Sequence, residues 1–184
     1  MIEKWETITV KSQIDLIIFD AIKVERKHPL TGKVSEFVVL DSKNWVNVIP
    51  ITNKKTVIFV KQYRHGNDSV TLEIPGGLIE NNEDSSEAAL RECVEETGFT
   101  SLESPMLLGE FDPNPAFLNN TCRAYVLNNC IKVAEPNFDD NEVIDVVEIP
   151  LIQIPEMIKS GIFRHSISLT SLIYYFIHQN LLKI

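Results

Sequence analysis

Short apolar runs rich in β-branched residues, each bounded by turn formers, fill the first part of the chain and predict strands rather than helices. "ETITVKS" and "DLIIFDAIKVER" are two such runs, and "HPLTG" supplies a turn before a third, "KVSEFVVLD". A meander this thin does not fold alone and must pack on the rest of the chain or on a second subunit. "WVNVIPI" and "TVIFVKQYR", split by the turn-like "TNKK", predict a central hairpin. "VTLEIPGG" predicts one more short strand, closed by a Pro-Gly-Gly turn.

After that turn the rhythm changes. Residues 84–97 predict a helix: Asp84, Ser85 or Ser86 caps it, Ala88, Ala89 and Leu90 propagate it, and Gly98 stops it. "MLLGEFDPN" and "TCRAYVLNNCI" follow as strands around the loop "PNPAFLNN", and the acidic loop "EPNFDDNE" leads into the strand "VIDVVEIP". "IPEMIKSG" predicts a short helix with Pro155 near its first turn and Gly161 as its stop. In the closing segment, Leu169, Leu172, Ile173, Phe176 and Ile177 follow the spacing of a helix docked on a core. Strand runs around two or three helices predict a mixed α+β sandwich. A dinucleotide-binding parallel sheet is disfavoured, because βαβ units do not alternate and Gly76-Gly77 has no third glycine at the required spacing.

Composition narrows the function. With 184 residues, the chain makes one ordinary domain with at most a small appended element. A net charge of −9 argues against a nucleic-acid partner, which would meet a basic stripe. It does not argue against a phosphorylated small molecule, since bound cations reverse a local field. Cys93, Cys122 and Cys130 have neither disulfide nor zinc spacing and read as small core residues in a reducing compartment. "MIEKWETITV" has no signal-peptide character, and the apolar C-terminal stretch is interrupted by His178, Gln179 and Asn180, too short for a membrane span. The expectation is a cytoplasmic protein without membrane partners.

One helix face is chemically unusual. Glu92, Glu95 and Glu96 share it, one turn or less apart, while Ala89 and Cys93 mark a neighbouring apolar stripe. Like charges at this spacing repel, and the helix dipole disfavours acids in a C-terminal half. Carboxylates one turn apart suit a hard divalent cation, which would relieve that repulsion. Arg91 is placed to pair with Glu83 or Glu95 and to keep loop and helix from splaying.

The stretch Gly77-x5-Glu83-x7-Arg91-Glu92-Cys93-x-Glu95-Glu96-x-Gly98-Phe99 resembles the Nudix box at every fixed position, with Cys93 and Phe99 at the two aliphatic positions. The resemblance implies a Nudix-type α/β/α sandwich with a mixed sheet, and a loop–helix–loop that uses Mg²⁺ or Mn²⁺ to cleave a nucleoside diphosphate linked to another group. It implies Glu92 and Glu96 as main metal ligands, Glu95 as a further ligand or base, and the Gly76 carbonyl as a backbone ligand. Gly77, Glu83, Arg91 and Gly98 would shape the box.

Its flanks are similar to those of ADP-ribose pyrophosphatases and other nucleoside-diphosphate-sugar hydrolases. "VKQYRHG…TLEIPGG" resembles the segment before the box, and Pro115, sixteen residues after Phe99, matches the proline of the ADP-ribose-cleaving group. Arg64 offers a planar fork to a phosphate, and Glu73 is expected to hold Arg64 or the box loop. In "FDDNEVIDVVEIP", Glu142 matches a late carboxylate ligand and Asp140 falls where some members carry a catalytic Glu. The resemblance further implies an N-terminal β-region, residues 1–44, that forms a homodimer, beside a Nudix domain over residues 45–184. "SEFVVLD" has no substrate arginine, and "PNPAFLNN" replaces the usual Ser-Pro-Gly type loop. ADP-ribose, giving AMP and ribose 5-phosphate, is the leading substrate. GDP-mannose, a dinucleoside polyphosphate, an NAD-type dinucleotide, a damaged nucleotide, or a sensor without turnover are the alternatives.

Overall fold

The computed structural model describes residues 2–138 and 143–181, grouped into two compact units. The larger comprises Asn44–Phe111 and Cys122–Ile184. Strands β4 (Trp45–Thr52), β5 (Thr56–Arg64), β8 (Phe99–Thr100), β10 (Cys122–Lys132) and β11 (Ile144–Pro150) form a mixed sheet in the order β11-β5-β4-β10-β8. β4 and β10 run parallel and the other pairs antiparallel. Three further strands pair off this path: β6 (Ser69–Glu73) with β5, β7 (Gly76–Leu78) with β4, and β9 (Met106–Phe111) with β10.

The sheet is buried on both faces, which is why β4 and β10 read as nearly continuous apolar runs. Val46, Val48, Tyr125 and Leu127 turn to one face, where Ala88, Ala89 and Cys93 of helix α1 (Ser85–Thr97) complete the core. Ile49, Ile51, Phe59 and Val126 turn to the other. There they meet Ile154 of α2 (Ile154–Lys159) and Leu172, Tyr175 and Phe176 of α3 (Ser166–His178). Helix, sheet and helices make the expected α/β/α sandwich.

α3 corrects one detail of the sequence reading. Ser168, Ser171, Leu172, Tyr175 and Phe176 are its buried residues, while Ile173 and Ile177 are exposed. The small serines let the helix approach the sheet, so the inward face is rotated away from the purely apolar stripe.

The smaller unit comprises Met1–Lys43 and Asp112–Thr121. Its antiparallel sheet holds β1 (Glu6–Asp15), β2 (Asp20–Lys27) and β3 (Val34–Asp41) in sequential order. Segment 112–121 docks beside β3, with Leu40 N–H donating to Phe117 O at 2.7 Å and Asn119 Nδ2 to Asp41 Oδ1 at 2.5 Å. "DLIIFDAIKVER" is not one strand: residues 16–19 form a turn in which Leu16 N–H bonds Phe19 O at 3.0 Å. Asp15 Oδ1 accepts Ile17 N–H at 2.7 Å, and Ile17 takes a left-handed φ of 75°.

All three cysteines are buried and free, with burial pushing the Cys122 and Cys130 thiols up to about 12. Among the described residues, no helix is long and apolar enough to cross a membrane.

Candidate active site

The site is built from a strand, a loop and a helix of the larger unit. β7 lies antiparallel on β4, pairing Gly76 with Asn47 and Gly77 with Val46. A short loop then enters α1, whose N-cap Asp84 accepts Ser86 N–H at 2.8 Å. Gly98 ends the helix at φ 73°, a left-handed conformation costly for other residues, and donates its N–H to Val94 O at 2.8 Å.

Arg91 ties loop and helix together. Its Nε and Nη2 donate to the two oxygens of Glu83 at 2.7 and 3.0 Å, and Nη2 also reaches Leu78 O at 3.0 Å. Nη1 donates to Glu92 Oε1 at 2.8 Å and Glu95 Oε2 at 2.9 Å. Glu83 Oε2 accepts Glu80 N–H at 2.9 Å, which fixes the loop's turn. These bonds, the Arg91 pair foremost, hold the Glu83 carboxyl below its usual range. The guanidinium is held above its own, chiefly by Glu83. The sequence expectation of Glu83 or Glu95 as partner is met by both.

Two of the other acids are set against glycine backbone. Glu96 is buried and accepts Gly76 N–H on Oε2 at 3.0 Å. Gly77 lies flat against the Glu92 carboxylate, where an added Cβ would strike it. The donor set of Glu92, Glu95, Glu96 and the neighbouring Gly76 carbonyl is therefore all oxygen, the chemistry of a hard cation. Asn47, whose Oδ1 is buried with no partner among the described residues, adjoins Gly76. Among the described residues, no three acidic, imidazole or thiol side chains converge to chelate one ion by themselves. The all-oxygen donor set fits a hard cation.

Arg64 and Glu73 do meet, as anticipated. Nε donates to Oε1 at 2.9 Å and Nη2 to Oε2 at 2.7 Å, and Thr71 Oγ1 also donates to Oε1. Burial pushes the Glu73 carboxyl up, but Arg64, with His165 and Thr71 behind it, brings it below its usual value.

The remaining residues fall elsewhere. Pro115 is exposed in segment 112–121 and so belongs to the smaller unit. Asp140 and Glu142 lie outside the described residues. The backbone just before them is anchored to α1: Asn137 N–H donates to Glu95 O at 2.8 Å, and Val133 and Ala134 donate to Gly98 O at 2.9 and 3.2 Å. His65 is exposed and packs edge-on to Tyr63, while Trp5 packs edge-on to His28 and Phe37. His165 is half-buried beside Glu73, with Nδ1 3.2 Å from Oε2. Asn47 and Ser168 were not anticipated, since isolated polar residues in apolar runs carry no motif.

Comparison with known proteins agrees with this geometry. Residues 43–166 match the model of the NUDIX domain, and the chain belongs to that family. Its relatives include pyrophosphatases of nucleoside-diphosphate sugars. It is 32% identical over 129 residues to the methanol dehydrogenase activator of Bacillus methanolicus, covering 70% of this chain and 69% of that one. An ADP-ribose pyrophosphatase of Bacillus subtilis is 28% identical, with 70% of each chain covered. A GDP-mannose pyrophosphatase of Escherichia coli is 32% identical over 74% of this chain and 78% of the relative. In fold, the chain is similar to a crystal structure of an ADP compounds hydrolase, with a TM-score of 0.83 at 19% identity and 99% of both chains covered.

Proposed function

We propose that the protein hydrolyses the pyrophosphate bond of a nucleoside diphosphate sugar, with ADP-ribose the leading substrate and AMP and ribose 5-phosphate the products, in the presence of Mg²⁺ or Mn²⁺. The observation that carries this reading is the complete loop–helix pairing around Arg91, with Glu92 and Glu96 set against Gly77 and Gly76. The likeness to an ADP-ribose pyrophosphatase supports the choice of sugar.

Glu92, Glu96 and the Gly76 carbonyl would hold the cation, with Glu95 and the late carboxylate Glu142 completing the set. The cation, when bound, neutralises the pyrophosphate and makes a water acidic enough to attack phosphorus. Arg64, held in direction by Glu73 through Nε and Nη2, would meet a phosphate with the Nη1–Nη2 edge of its guanidinium. Glu95 Oε1 is the proposed acceptor of the attacking water's proton, with Asp140 as the other candidate. Pro115 is proposed, on the resemblance alone, as a substrate-binding residue. A second reading, GDP-mannose as substrate, is favoured by the likeness to the Escherichia coli GDP-mannose pyrophosphatase.

We also propose a homodimer through the N-terminal strands, with no nucleic-acid or membrane partner. All ten residues of β1 are exposed, including Ile8, Val10 and Ile14, as are Phe37 and Val38 of β3. The buried free thiols favour a reducing, cytoplasmic location.

The test is release of phosphate esters from ADP-ribose, GDP-mannose, UDP-glucose, diadenosine polyphosphates and 8-oxo-dGTP, each with Mg²⁺ or Mn²⁺. Selective cleavage of ADP-ribose is expected. Preference for another member of the panel would replace the substrate and keep the box chemistry.

A further inference from the structure

Two side chains at the start of α3 meet the strand end that precedes the glycine pair. Ser168 is fully buried, and its Oγ accepts Ile74 N–H at 3.1 Å. His165, the N-cap residue, places Nδ1 2.9 Å from Ser168 Oγ and 3.2 Å from Glu73 Oε2.

Glu73 is only 1% exposed, and a carboxylate buried so deeply must be paired and hydrogen-bonded. Arg64 donates to both oxygens and Thr71 adds a donor on Oε1, while Oε2 faces Arg64 Nη2 on one side and the imidazole on the other. A lone pair on Nδ1 would face the carboxylate's charge, so the geometry favours the tautomer with its proton on Nδ1, 3.2 Å from Oε2 and 2.9 Å from Ser168 Oγ. Ser168 Oγ itself accepts the Ile74 N–H.

Ile74 stands two residues before Gly76. The intervening Pro75 carbonyl is itself held by Val48 N–H at 2.9 Å and Asn47 Nδ2 at 3.3 Å. One helical turn therefore holds both the carboxylate that orients Arg64 and the backbone that carries Gly76. Packing alone would not call for this pair, because an alanine and a leucine there would bury apolar surface without any polar group to satisfy.

We propose that His165 and Ser168 are positioning residues of the hydrolase: His165 sets the direction of the Arg64 guanidinium through Glu73, and Ser168 sets the placement of Gly76 through Ile74. The kinetic consequence rests on the roles proposed above for Arg64 as a phosphate contact and Gly76 as a backbone ligand. The structural consequence does not.

Two measurements test it. The first is hydrogen exchange of the Arg64 Nε–H and the Ile74 amide, followed by NMR in ¹⁵N-labelled full-length protein without substrate. The second is steady-state hydrolysis of ADP-ribose with Mg²⁺. His165→Leu is expected to speed Arg64 Nε–H exchange by about tenfold and to raise KM by about tenfold with kcat within about twofold. His165→Asn, whose amide nitrogen can donate in place of Nδ1, is expected to restore both. Ser168→Ala is expected to speed Ile74 exchange by about tenfold and to lower kcat more than it raises KM.

Unchanged Arg64 exchange and KM in a folded His165→Leu protein would overturn the role of His165, as would a His165→Asn protein that behaves like the leucine variant. Should His165→Leu fail to fold, the His165→Asn and Ser168→Ala proteins decide the matter. The clamp then stands if asparagine keeps Arg64 protected while Ser168→Ala exposes Ile74, and falls if either expectation fails. If the wild-type protein cleaves no ADP-ribose, the substrate reading fails while the exchange measurements still decide the clamp.

Discussion

Arg91 and Glu83 face each other fork to fork, with Nε–Oε1 and Nη2–Oε2 distances of 2.7 and 3.0 Å across eight residues of sequence. Such bidentate pairs add geometry to energy, because both bonds form only when the two planes align. Arg91→Lys would keep the charge and lose the fork, and Arg91→Ala would leave Glu83, Glu92 and Glu95 without their shared cation. Arg91 is partly exposed, so the cost is below that of a fully buried pair: about 2 kcal/mol is expected for the alanine variant. Urea unfolding measures it. Added Mg²⁺ should recover part of the loss, and an unchanged midpoint would show that the pairing contributes nothing.

Glu96→Gln keeps the side chain's shape and its bond from Gly76 N–H while removing one negative charge. Turnover is expected to fall by at least roughly 100-fold, with a raised metal requirement. Thermal stability without metal should hold or rise slightly, since repulsion on the helix face is relieved. Wild-type turnover in this variant would remove Glu96 from the metal site.

Gly77→Ala would set a methyl group on the Glu92 carboxylate. Gly77 lies in the short, half-buried strand β7 and an added methyl meets only the end of the Glu92 side chain, so the fold should survive with a change of about 1 kcal/mol. Activity should drop by roughly 10- to 100-fold, because the carboxylate is displaced from its working position. Circular dichroism with kinetics separates the two effects.

Acid should weaken the protein in two steps. Burial pushes the His165 imidazole below its ordinary value; Glu73 opposes that and Arg64 adds to it. The unfolded chain then binds more protons than the folded one just below pH 6.5, so this contribution is complete above pH 6.5 and lost as pH falls through the folded value. The depressed Glu73 carboxyl contributes above pH 4.5 and loses its share as pH falls through its own folded value. Melting temperature against pH should bend twice, and Glu73→Gln should weaken the lower bend, leaving the share that the depressed Glu83 carboxyl contributes.

The proposed dimer predicts a two-chain mass by light scattering at micromolar concentration. Val10→Asp, an exposed change on β1, should shift it toward one chain without unfolding the larger unit. A monomeric wild-type protein would remove the pairing.

The most legible parts of the sequence were those governed by neighbouring residues. Asp84 and Gly98 bound α1 because capping and left-handed termination are chemistry of the local backbone. The fixed spacing of the box likewise foretold the Arg91–Glu83 pair. The phase of α3 was only partly legible: Leu172 and Phe176 turn inward as their spacing suggests, but Ser168, Ser171 and Tyr175 join them in place of Ile173 and Ile177, and only the sheet decides that. Nor was the turn at Ile17, an apolar β-branched residue whose left-handed φ no local preference suggests. The meeting of Ser168 with Ile74, 94 residues apart, is a product of tertiary packing alone.

The arginine at the centre of the box also separates two events in the protein's life. In small metal-dependent domains the ligands' mutual repulsion is settled only by the ion, so a chain made during metal scarcity stays unfolded. Here Arg91 already stands among Glu83, Glu92 and Glu95, a resident counterion covalently supplied with the chain. On the proposed metal-dependent reading, the fold would be completed first and loaded afterwards, and metal availability would govern how much of the protein is active rather than how much of it survives.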